Sequence, residues 1–99
     1  MRDAAELIRV LEAAREQLTA PDNDYAASSW PDAAAADHEL SGFIARLQQG
    51  AGVDRADLAV LFAPDGPMRQ VALSSGWAEA FVRLGVDFDR ASARFSWDD

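Results

Sequence analysis

Large apolar side chains recur at three- and four-residue steps over three separate stretches of this chain, the spacing that one face of an α-helix requires. Ala4, Leu7, Ile8, Leu11, Ala14 and Leu18 form the first stripe, with Arg9, Glu12 and Glu16 lying off it. Ala36, Leu40, Phe43, Ile44 and Leu47 form the second. Trp77, Ala80, Phe81, Leu84 and Phe88 form the third, which Ala91 and Phe95 extend if the helix passes Gly85. Such stripes are stable only when they bury one another, and 99 residues supply one core. The expectation is an all-α single domain over residues 1–99.

Capping and breaking residues set the boundaries. Asp3, with Glu6 three residues on, is placed to cap a first helix from about Ala4 to Leu18. Thr19 to Asp32, with Pro21, Asp22, Asn23, Asp24, Ser28, Ser29 and Pro31, is too polar and punctuated to extend it and reads as a long loop anchored by Tyr25 and Trp30. A second helix starts near Asp32 or Ala33, ends at Gln49 against a left-handed stop at Gly50, and folds back antiparallel on the first. Asp54 caps a third helix over Arg55 to Ala63.

Residues 58–73 carry the main ambiguity. Leu58 to Ala63 followed by Pro64-Asp65-Gly66 fits a strand and turn, with Met68 to Leu73 as hairpin mate. Asp54 and Asp57 in a first turn, with Leu58, Leu61 and Phe62 at helical spacing, favour a helix. The last helix starts from Ser74 and Ser75, Gly85 is a candidate early stop, and Ser92 to Asp99 is left as a tail. The fold expected is a small bundle of about four helices, with a short hairpin at 58–73 as the alternative.

Composition narrows the setting. Of the 49% of residues that are hydrophobic many are alanine, which forms helices well but fills a core poorly. Without cysteine there is neither a disulfide framework nor a thiolate zinc site, which favours a cytoplasmic protein. The acidic start at Asp3 and Glu6 does not read as a signal peptide, and no apolar run approaches the roughly 20 residues of a membrane span. Seventeen acids against nine bases, all arginine, give a formal net charge of −8, the wrong sign for a nucleic-acid partner.

The chemistry-bearing residues do not assemble into a known constellation. His38-Glu39 resembles the start of a zinc-protease helix, but the second His is missing where Gly42 stands. Asp22 and Asp24 alternate as in a calcium loop without its later ligands, and Asp87 and Asp89 fall on opposite sides of a helix. Serines 28, 29, 41, 74 and 75 have only His38 as a histidine base, and a chain without lysine lacks a phosphate loop of the Walker type. Neither an enzyme nor a cofactor nor a metal is expected.

The order of features, namely an amphipathic helix, a loop carrying Trp30, a second helix ending in Gly50, then Leu61-Phe62, Gly66, Val71 and Leu73 before a final helix, resembles uncharacterised small bacterial helical proteins. The resemblance implies a helical fold in a bacterial cytoplasm and brings no catalytic residues. The function expected is that of a protein-binding module, an acidic immunity-type partner that covers a basic bacterial toxin or another basic protein. Asp22, Asp24, Tyr25, Trp30, Asp32, Trp97, Asp98 and Asp99 are the candidate contact residues, acids and aromatics of the loop and tail. The alternative is a structural domain that self-associates as a homodimer.

Overall fold

Each apolar stripe becomes a buried helix face in the structure, a computed structural model that describes residues 4–95. Five helices follow one another: α1 Ala5–Leu18, α2 Ala33–Gln48, α3 Arg55–Leu61, α4 Pro67–Ser75 and α5 Ala78–Arg94. Among the described residues there is no strand. Helix α1 is central, packing on both α2 and α5, and α4 packs on α5. Ion pairs mark both neighbours of α1 as antiparallel to it: Arg15, late in α1, pairs with Asp37, early in α2, and Glu6, early in α1, pairs with Arg94, late in α5.

The core is built mainly of leucine. Leu7, Leu11, Leu18, Leu40, Leu58, Leu61, Met68 and Val71 are fully buried, and Phe43, Ile44, Phe81, Leu84 and Phe88 complete it. Phe62, half-buried at the end of α3, stacks on Phe88 of α5 with ring centroids 4.6 Å apart. That contact ties the short α3, whose own two buried leucines give it little hold, to the longest helix.

Local chemistry explains where the helices begin and end. Asp32 Oδ1 accepts from Ala35 N at 2.9 Å and Asp54 Oδ1 from Ala56 N at 2.9 Å, so both aspartates cap as their positions predict. The expected Asp3 cap lies outside the described residues, and Ala4, at the cap position of α1, makes no side-chain capping bond. Gly50 and Gly76 hold positive φ angles of 71° and 84°, the left-handed conformation that follows helices α2 and α4.

Residues 58–73 are helical on both sides of the Pro64-Asp65-Gly66 turn, which corrects the hairpin alternative and adds a helix to the expected number. Pro67 occupies the first position of α4, where its missing N–H costs nothing and its fixed φ starts the helix. Gly76 closes α4, so Ser74 and Ser75 end a helix instead of starting one, and Trp77 stands at the cap of α5. Helix α5 passes through Gly85 without a break and reaches Arg94, which corrects both the early stop and a tail starting at Ser92.

Candidate partner-binding surface

The loop between α1 and α2 is fastened to the rest of the molecule by polar bonds. Asn23 sits at the junction: its Nδ2 donates to the Gln17 carbonyl at 2.6 Å and its Oδ1 accepts from the Trp77 indole at 2.9 Å. Asp24 N donates to Ser75 Oγ at 2.8 Å, and Ser28 Oγ donates to the Pro67 carbonyl at 3.0 Å. The loop thus runs as a strap from the end of α1 across both ends of α4 before entering α2. Asp24 also accepts from Ala26 N at 2.9 Å, a turn that aspartate makes readily.

The candidate contact residues divide along this strap. Asp22, Asp24 and Asp32 are exposed. Trp30 is 5% exposed and belongs to the core, with its indole N–H 3.4 Å from Glu39 Oε1, so it anchors the strap and offers no ring to a partner. Tyr25 is half-buried and its hydroxyl donates to the Leu18 carbonyl. Trp97, Asp98 and Asp99 lie outside the described residues.

Burial pushes the Tyr25 phenol above its ordinary pKa of 10.0, the nearby Asp32 carboxylate acts in the same direction, and a hydrogen bond with Asn23 partly offsets both. Because the chain holds one tyrosine, no cysteine and only arginine among its bases, Tyr25 is the one side chain that titrates near that pH. A raised folded-state pKa stabilises the fold fully below the unfolded value and ceases to do so as pH rises through the folded one. The thermal stability of the wild type is therefore expected to fall at pH above 10.0, while that of Tyr25→Phe stays level there, having lost about 1 kcal/mol at neutral pH with the bond to Leu18. Parallel alkaline declines in the two proteins would show that Tyr25 is not the titrating group.

The exposed loop acids adjoin others that come from the helices. Glu12, Arg15, Glu16, Thr19 and Asp37 line a groove of about 510 Å³ between α1 and α2. Arg15 and Asp37 pair with each other, which leaves Glu12 and Glu16 without an ion pair among the described residues. With Asp22, Asp24 and Asp32 following in the strap, carboxylates from two helices and the loop flank the place where α1 stops and α2 starts. Glu79, in the first turn of α5, stands at this end too.

The groove between α1 and α5 is richer in arginine. Arg9, Arg90 and Arg94 line a groove of about 420 Å³ between α1 and α5 together with Glu6 and Asp87, and Arg46 stands in the last turn of α2.

The spacing of Glu12 and Glu16 off the apolar stripe of α1 marks them as exposed in the sequence. Their meeting with Asp37 depends on the register of the antiparallel α1 and α2 pair, which no local signal gives. His38 is exposed, and Asp87 and Asp89 line two different grooves on either side of α5. Among the described residues no three His, Asp or Glu side chains are grouped to hold a metal ion, and no helix is long and apolar enough to cross a membrane. No family model matches the chain, and no match was found among curated proteins or solved structures.

Proposed function

We propose that this protein is a binding module that receives a basic protein on its acidic end, in the manner of a bacterial immunity protein covering a toxin. The observation that carries the reading is the concentration of carboxylates there: Glu12, Glu16 and Asp37 from two helices, and Asp22, Asp24 and Asp32 from a strap fixed by hydrogen bonds. Asp24 and Asp32, whose carboxylates already accept from backbone amides, lose little freedom on binding, and the summed field of the group speeds the approach of a positively charged partner. A bacterial cytoplasm is the setting this reading implies.

The test removes charge while keeping shape. Glu12→Gln, Glu16→Gln, Asp22→Asn and Asp32→Asn combined take away four charges, and asparagine still caps α2. Tagged wild type is expected to retain a basic protein from the lysate of its own organism, and the quadruple variant, shown to be folded by circular dichroism, to release it. Equal retention by both would rule out the acidic end as the binding surface.

A further inference from the structure

The strap between α1 and α2 is held by polar bonds with little apolar burial of its own. No residue from 19 to 29 is buried, and Trp30, which is, stands at the far end of that stretch. Tyr25, half-buried, lays its ring against the core. Exposure alternates along the extended part: Asp22, Asp24 and Ala26 are exposed, Asn23 and Tyr25 half-buried. The inward side chains therefore make the fastenings, and the outward ones carry the acids.

Asn23 joins the most distant parts. Through one amide it donates to Gln17 in the last turn of α1 and accepts from Trp77 at the start of α5, so it closes the strap from two sides. The Asp24 amide on Ser75 Oγ, Ser28 Oγ on the Pro67 carbonyl and the Tyr25 hydroxyl on the Leu18 carbonyl are the other fastenings. Each such bond, between groups that water can reach, shifts an equilibrium by only about two- to tenfold. The helices beneath are held by fully buried leucines. A segment with few buried apolar contacts and water-accessible hydrogen bonds opens at far less cost than the whole molecule unfolds.

We infer that residues 19–29 open and close as one unit over the intact bundle, with Asn23 as the latch and Trp30 as the fixed end. The closed strap is the major state. Opening frees the Trp77 indole and lifts Asp22 and Asp24 away from the helices that hold Glu12, Glu16 and Asp37. The latch does not depend on the acidic-end reading. One consequence does rest on it: a basic partner that takes Asp22 and Asp24 as the closed strap sets them draws the strap shut.

Amide hydrogen exchange of the full chain in dilute urea, read by NMR, tests this. It needs no partner, so its failure and that of the acidic-end reading are distinguishable. The amides of Asp24, Ala26 and Ser28, which donate to Ser75 Oγ, Asp24 Oδ1 and the Tyr25 carbonyl, report the strap, and those of Leu11 and Leu40 the bundle. The strap amides are expected to be protected, to open at least about tenfold more often than the bundle amides, and not to respond to urea, whereas Leu11 and Leu40 respond steeply. Asn23→Ala is expected to raise the opening of all three strap amides about tenfold. Combined with Trp77→Phe it is expected to do less than the product of the two separate effects, because both remove the same bond. Strap amides without protection, or with the urea response of Leu11, overturn the independent opening. An Asn23→Ala effect confined to one amide, or multiplied in full by Trp77→Phe, overturns Asn23 as the latch.

Discussion

Gly66→Ala is expected to destabilise this protein by about 3 kcal/mol, the upper part of what overpacking a tight site costs. A Cβ at Gly66 would stand 2.2 Å from the Val60 carbonyl oxygen and 3.2 Å from that of Ala63. Both obstacles are backbone at the turn between α3 and α4, so no side-chain rotation relieves the clash. Gly66 N also donates to the Ala63 carbonyl at 3.0 Å, and any shift that makes room breaks that turn. The same substitution at Gly42, within α2, meets open space and is expected to stabilise by up to about 1 kcal/mol through helix propensity. Urea unfolding of the two variants should move in opposite directions from the wild type. Similar midpoints for both would show that the turn is looser than its geometry implies.

Leu11→Ala is expected to cost more, about 3–4 kcal/mol, because it removes a fully buried side chain and leaves a cavity that the surroundings fill only in part. Leu11 lies on the helix that packs against both α2 and α5, so one cavity loosens two interfaces. A chain of this size is stabilised by some 5–15 kcal/mol in total, and either change takes a large share of it. Leu73→Ala, at a side chain 48% exposed, is the control and is expected to stay within about 1 kcal/mol of the wild type. A fall in the urea midpoint for Leu11→Ala no greater than for Leu73→Ala would contradict the core assignment.

The sequence made α1, α2 and α5 visible because each has a long apolar stripe, and Asp32, Gly50 and Asp54 stand where the caps of the structure are. Helix α4 was hidden by its brevity: Met68, Val71 and Ala72 are too few to separate a helical period from an alternating one. Pro67 reads as a turn residue and as a helix start, and only packing against α5 decides between them. Trp30 shows the limit at the surface. The sequence reads it both as an anchor of the loop, which it is, and as a contact residue, which its burial excludes, and nothing local reports the bonds of Asn23, Asp24 and Ser28 to distant residues that decide between the two. For the same reason loop acids could be named as candidates from sequence, whereas Glu12, Glu16 and Asp37 join them only once α1 and α2 lie side by side.

The acidic end as a recognition surface is the central claim, and its most direct measurement is the affinity of the captured basic protein for the purified chain as salt rises from about 50 to 500 mM. The expected result is a dissociation constant that increases steeply across that range for the wild type and only shallowly for the variant lacking the Glu12, Glu16, Asp22 and Asp32 charges. Affinity that does not change with salt, or falls equally in both proteins, would place the contact elsewhere and contradict the claim.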